Sequence, residues 1–463
     1  VPDRKKINTA LEAIVGPEFV SSSIEELFIY SQDSSANEAR MPDYVVMPKN
    51  TSEIASIVRL ANRENVPVCP AGAGLNLEAL TLPVRGGIVM DMRRMDQIIE
   101  VHDIDRYALI EAGVTQGHLI SYLEKHHPGL QHSVPDAPPS ATVLGSALLA
   151  GYGHLSTNYG THAEMINAME VVLPSGEVCR TGSRSLCDGW FSRGSLPDST
   201  GLFTGWLGTT GIITKISIRL YPRPAMRDMV IYMVQDASLI PEIIFSITHT
   251  EMAEDVSIVG QEKPEWMKGF QIIPVYLTAN SESEMKLKKG IFKTLFTDSR
   301  IAFMDAPPPE LKDQFLELPF FATKVADWSK GGGFEYAGII MTLDQIPQAW
   351  VRAEDIAHCN GMLYSYAIRM VDGCHHALFT CSYPFNRADK KSMYSAMKAL
   401  EETQVMAMDI GAIPWKPELK GQQLILERMD PGALNLMKDI KKWMDPNNIM
   451  NPGNWEVDQD AAR

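Results

Sequence analysis

The chain lacks the paired cysteines of a zinc knuckle or a secreted disulfide framework. Its 6 cysteines in 463 residues, at Cys69, Cys179, Cys187, Cys359, Cys374 and Cys381, include no CxxC pair, so a reducing compartment is expected: the cytoplasm, with the periplasm left open. Apolar runs are short. Residues 143–150 and 230–233 are among the longest, well under the ~20 residues needed to cross a bilayer, and the opening VPDRKKINTA has no apolar core of a signal peptide. Positive charge is scarce too. With 42 Lys+Arg against 57 Asp+Glu the formal net charge is −15, and no basic run offsets it, which argues against nucleic acid and anionic membrane surfaces as partners. Internal repeats and low-complexity tracts are absent.

What is present reads as an ordinary globular protein. Hydrophobic residues make up 45% and charged residues 21%, and at ~150 residues per domain the length accommodates about three domains or two large ones. Over residues 51–65, Ile54, Ile57, Val58 and Ala61 recur at helical spacing, and the helix runs into a short strand at 66–69. A turn-rich loop follows, Pro70-Ala71-Gly72-Ala73-Gly74-Leu75-Asn76, and then a second strand at 87–91. Residues 116–127 predict another helix, 169–178 two strands around a Pro-Ser-Gly turn, and 211–220 an alternating strand. Tyr221-Pro222-Arg223-Pro224 punctuates the chain and marks a domain boundary. Beyond it come a charged helix near 281–290, a hairpin across Asp372-Gly373 within a second, antiparallel sheet, and a helix at 431–444 opened by Pro431. The fold class expected is α+β.

Two segments bear on chemistry. Without Cβ atoms the glycines of residues 70–76 let backbone N–H groups approach a pyrophosphate, although a tight turn explains the loop equally well. The stretch Val134-Pro135-Asp136-Ala137-Pro138-Pro139, running on through small residues to Gly151 and Gly153, can seat a flat ring, or simply pack closely.

Taken together, YVVMPKNTSEIASIVRLANRENVPVCPAGAGLN, GIVMDMRRMDQIIEVHDIDRYALIEAGVTQGHLISYLE, VPDAPPSATVLGSALLAGYG, NYGTHAEMINAMEVVLPSGEVCRTGS, STGLFTGWLGTTGIITKISIRLYP and the terminal MDPNNIMNPGNW resemble the FAD-binding domain of the vanillyl-alcohol oxidase and para-cresol methylhydroxylase superfamily. The resemblance implies a two-lobed FAD-binding domain of the methylhydroxylase type over residues 1–222. It further implies an antiparallel-sheet α+β cap forming the substrate pocket over 223–405, and a C-terminal segment, 406–463, returning to the first domain. It implies cofactor contacts from Pro70, Ala71, Gly72, Ala73, Gly74, Leu75 and Asn76, from Pro135, Leu144, Gly145, Ser146 and Gly151, and from Gly211, Ile212 and Ile213. The histidine that berberine-bridge-type relatives use for covalent attachment is missing from the loop, so noncovalent FAD is expected.

The catalytic residues implied are less uniform. Asp136 resembles the carboxylate beside flavin N5, placed to accept a substrate proton. Asn76, and Trp415 with Lys416, stand where the phenol oxidisers carry the tyrosine and the Tyr-Arg pair that hold a phenolate. The hairpin resembles the FAD-linked D-lactate, glycolate and 2-hydroxyglutarate dehydrogenases, with His376 at the second metal-binding histidine. Arg369 replaces the first, and Asp409-Ile410-Gly411 replaces a Glu-His-Gly, so no metal is expected. Arg369 can instead clamp a substrate carboxylate. His375 or His376 can serve as base, but neighbouring strand residues face opposite sides, so only one can face a pocket.

The leading expectation is an FAD-dependent oxidoreductase taking a hydride from a benzylic or carbinol carbon, foremost of a para-substituted phenol or aryl alcohol. The alternatives are a 2-hydroxy-acid dehydrogenase of the D-lactate or glycolate kind and a noncatalytic flavin electron-transfer subunit of a complex. Expected partners are a small organic substrate and an electron acceptor, for which oxygen, quinone, a cytochrome and another redox protein stay open. Homo- and hetero-oligomers both stay open.

Overall fold

The computed structural model describes residues 4–76, 78–260, 269–318 and 331–456, apart from the side chain of Gln314. The helix Thr51–Glu64 starts where the Asn50 side chain accepts a hydrogen bond from Glu53 N and stops where Asn65 turns left-handed (φ 53°), the capping logic of a free-standing amphipathic helix. It buries Ile54, Ile57, Val58 and Ala61. Beneath it Tyr44–Val46, Ile88–Asp91 and Val68–Ala71 pair in parallel, with Val20–Ser21 antiparallel at one edge. The second lobe is antiparallel, in the order Ile98–His102, Tyr107–Glu111, Ile212–Arg219, Ile166–Val172, Val178–Arg180. One apolar core spans both lobes, from Ile54 and Val68 to Ile110, Met169 and Ile216.

Past Tyr221–Pro222 the chain enters an eight-stranded antiparallel sheet. Its central strands are Ala253–Gly260, Ser365–Val371, His376–Asn386 and Gly332–Met341. The helices Ile240–Thr248, Glu282–Thr294, Ile346–Cys359 and Lys390–Asp409 contribute to a second core with this sheet. The strands' alternation sends the opposite set of residues toward the first domain. The expected start of the last segment at residue 406 needs correcting on one point. The Lys390–Asp409 helix runs through that position, and Ile413–Trp415 pairs with Gly332–Met341 in the cap sheet, because the edge strand needs a partner for its ladder. The chain crosses back only afterwards, where Val68 N donates to Ile449 O (2.7 Å) and Asn451 N to Val68 O (2.8 Å).

A short helix, Ser156–Tyr159, joins the two domains. Thr157 Oγ1 lies 2.9 Å from Asp255 Oδ1 and 3.0 Å from Met370 O, and accepts from Val256 N (3.2 Å). Asp372 N donates to Ser156 O (3.0 Å) and Gly373 N to Thr157 O (2.6 Å). All of these groups on the hydroxyl are buried, so Thr157→Val is expected to destabilise the protein by about 1–3 kcal/mol, the cost of stranding buried polar groups. Denaturant unfolding measures it.

Candidate active site

A cavity of about 580 Å³ lies between the two domains. The face of the cap sheet that forms one wall presents Ser257 and Val259, Phe334 and Tyr336, Leu378, Thr380 and Ser382, each set two residues apart as a strand requires. The other wall is the first domain's loops. Every residue expected to contact a cofactor lines it: the whole of 70–76, then Pro135, Leu144, Gly145, Ser146, Gly151, Gly211, Ile212 and Ile213. Asn76 Oδ1 accepts from Leu80 N (3.2 Å), closing the glycine loop on itself. At Gly72 a Cβ would stand 2.9 Å from Thr142 Oγ1, the group that caps the Val143–Leu148 helix at Gly145 N (3.2 Å). The glycine loop therefore lies directly against the Thr142 side chain at the helix start, and both line the cavity.

Of the residues expected in catalysis, Asp136, Arg369, Trp415 and Lys416 line the same cavity. Asp136 sits on a loop held by Val134 N donating to His154 Nδ1 (3.1 Å) and by a bridge between Pro135 and Gly153. Its Oδ2 is 2.9 Å from Arg369 Nη1, and Arg369 Nη2 is 3.1 Å from Asp255 Oδ2. Arg369 therefore bridges two carboxylates, and its Nε is buried without a hydrogen-bond partner. Burial raises the Asp136 carboxyl above the usual range, the Arg369 cation opposes the rise and the Asp255 charge adds to it.

Trp415 ends the last strand of the cap sheet, opposite Gly338, where a Cβ would come within 2.5 Å of the indole. Its Nε1 donates to Leu149 O (2.9 Å), and the Tyr152 ring meets it edge-on at 5.2 Å. Lys416 follows in a left-handed conformation (φ 53°), its ammonium 3.9 Å from the Trp415 ring centroid. Burial lowers its pKa to about 8, against the raising effect of the Glu78 charge.

His376 does not line the cavity. It continues the row of Leu378 and Thr380 but lies one register step beyond, paired with Val371, where the Tyr152 ring stands 6.3 Å away. His375 is exposed in the hairpin turn. Asp409 is engaged by Arg428 (2.9 Å). Among the described residues no group of three or more His, Cys, Asp or Glu is arranged to hold a metal ion.

Sequence reasoning missed Glu78. It is 2% exposed, lines the cavity, and both its carboxylate oxygens lack a hydrogen-bond partner. Burial pushes its carboxyl well up, and the charges of Glu335 and Glu418 push it further. The signal was a single acid within the apolar stretch Leu75-Asn76-Leu77-Glu78-Ala79-Leu80. Asp255 was missed as well, because nothing near it in sequence names its partner.

Two family models match the chain: the FAD binding domain over residues 42–182 and the FAD linked oxidases' C-terminal domain over 325–455. A curated relative, the probable mitochondrial D-lactate dehydrogenase of Danio rerio, is 26% identical, with 97% of this chain and 91% of that protein covered. Among solved structures, p-cresol methylhydroxylase with substrate bound superposes with a TM-score of 0.84 at 21% identity, covering 98% of this chain and 97% of that one. The 4-ethylphenol oxidase from Gulosibacter chungangensis, in its isoeugenol complex, gives 0.86 at 19% identity with both chains fully covered. These two likenesses establish the fold. No helix among the described residues is long and apolar enough to cross a membrane. With both domain models matched in order, the chain belongs to the FAD-linked oxidases and dehydrogenases, built from an FAD binding domain and the FAD linked oxidases' C-terminal domain.

Proposed function

We propose that the protein takes a hydride from the benzylic or carbinol carbon of a small aromatic substrate, a para-substituted phenol or aryl alcohol, and passes the electrons to an external acceptor. The observation that carries this reading is the state of Arg369. Both of its terminal nitrogens are engaged by carboxylates, so a substrate carboxylate would meet one cation already outnumbered by two anions. The unpartnered Nε suits a single neutral oxygen rather than a bidentate acid. Phe334, Tyr336, Tyr366 and Trp415 around the same cavity supply aromatic walls.

FAD, held noncovalently by the 70–76 loop and the 144–146 and 211–213 segments, supplies the hydride acceptor. Asp136 accepts the proton released from the substrate hydroxyl, Arg369 fixes that carboxylate in place, and Lys416 provides positive charge to an anionic substrate oxygen. Because Lys416 is cationic below its lowered pKa, turnover is expected to fall as pH rises through about 8. Lys416→Met is expected to lose that falling limb along with most affinity for the anion, which kcat/KM against pH measures.

The runner-up is a 2-hydroxy-acid dehydrogenase with Lys416 as its carboxylate partner. The D-lactate dehydrogenase named above favours it. Titrating the oxidised enzyme with a phenol that cannot be oxidised, and separately with oxalate, distinguishes the two. A flavin absorbance change with the phenol alone supports the aromatic reading, and a change with oxalate alone overturns it.

A further inference from the structure

Behind the cavity wall lies a second, much smaller cavity of about 20 Å³, lined by Gln116, His132, Ser133, His162 and Arg219 among others. That is room for one water, which requires about 10–15 Å³ and two to four polar partners. Two such partners are present. His162 Nε2 and Ser133 Oγ are both buried and both lack a hydrogen-bond partner. They also converge: a Cβ on Gly153 would lie 2.8 Å from His162 Nε2 and 2.5 Å from Ser133 Oγ, so the two atoms are within reach of a single bridging water. Gly153 carries no side chain to come between them.

The other nitrogen of the same ring faces the main cavity. His162 Nδ1 is 2.7 Å from Ser146 Oγ, and Ser146 lines the large cavity. A second glycine keeps this contact clear, since a Cβ on Gly151 would come within 2.3 Å of Ser146 Oγ and 3.3 Å of His162 Nδ1. His162 thus joins the two cavities through its two nitrogens. At the outer end, Arg219 is exposed where its strand finishes.

We propose that Ser146, His162 and a water held between His162 and Ser133 form a proton exit from the active site to solvent at Arg219. The step balances as one proton in and one out. Asp136 gives up into the cavity the proton it accepted, Ser146 takes one proton from the cavity and gives its own to His162 Nδ1, His162 gives the proton on Nε2 to the water, and the water releases one toward solvent. The histidine changes tautomer and its charge returns to zero. Burial, helped by the charges of His132, Arg369 and Lys416, lowers the pKa of His162 to about 3, so the ring conducts as a neutral wire and does not store the proton. His132 is engaged elsewhere, with Nε2 2.8 Å from Gln116 Oε1.

This inference rests on the proposed oxidation, which releases a proton for each substrate. The test follows flavin bleaching and an indicator dye together, in lightly buffered solution after anaerobic mixing with substrate. In the wild-type protein the proton is expected in solvent in the same phase as bleaching. In His162→Gln bleaching is expected to persist while proton release lags by about a hundredfold, the low end of what a positioned proton-transfer group contributes. Ser133→Ala is expected to lag in the same sense and carries the test if His162→Gln fails to fold. Proton release keeping pace with bleaching in both variants overturns the exit and leaves the oxidation reading intact. Independently of any substrate, nitrogen spectra of ring-labelled histidine should show His162 as the Nε2–H tautomer exchanging magnetisation with a bound water, and Ser133→Ala should weaken that exchange. A ring without a water neighbour overturns the proposal even if no substrate bleaches the flavin.

Discussion

Asp136→Asn is expected to slow substrate-dependent bleaching of the flavin by about 10²–10⁴-fold, the range a positioned general base contributes, while flavin content stays that of the wild type. The asparagine oxygen can still accept from Arg369 Nη1, and Arg369 keeps Asp255, so the change removes the ionisable oxygen and little else. The pH profile separates this from a structural effect. A base must be deprotonated to act, and burial raises the Asp136 carboxyl, so wild-type turnover rises with pH through that elevated value. In Asp136→Asn the rising limb is expected to vanish. Wild-type rates in the variant would contradict the role assigned to Asp136.

Arg369→Met is expected to cost about 3–5 kcal/mol of stability, the penalty of leaving a buried charge unpaired. Asp255 is only 1% exposed at its side chain, and the Thr157 hydroxyl also hydrogen-bonds it. Arg369→Lys retains the charge but replaces a planar fork by a single ammonium, which cannot satisfy carboxylates on both sides, and should fall between. Denaturant unfolding reads the stability and substrate titration reads the site. If Arg369 were a clamp for a substrate carboxylate, the substitution would instead weaken binding of a 2-hydroxy acid and leave stability nearly unchanged. The two roles of the guanidinium thus separate in two measurements.

The first domain was legible in the sequence because its determinants are local. The periodicity of 51–64, the glycines after Cys69 and the alternation in 212–219 each lie within a few residues of what they specify. The cavity's lining was legible for the same reason, since loop residues line a cavity wherever the loop goes. The electrostatics were not. Arg369 read as a free cation because the partners that engage it, Asp136 and Asp255, are more than a hundred residues away and reach it only when the cap sheet closes on the first domain. His376 read as a base because strand parity gives the face but not the end of the cavity, which Tyr152 closes. Glu78 escaped notice because its lack of partners is a property of the folded cavity alone. The last crossing was misplaced because nothing in residues 406–415 marks a strand pairing with residues 338–340.

The most direct test of the account begins with an absorbance spectrum of the purified protein before and after denaturation, followed by anaerobic mixing with para-alkylphenols, aryl alcohols and D-2-hydroxy acids. The account predicts flavin that is released by denaturation and, in the native protein, bleached by the aromatic substrates and not by the hydroxy acids. Bleaching by D-lactate or glycolate alone would contradict the proposed chemistry, and a protein unable to take up FAD would contradict the reading of the cavity itself.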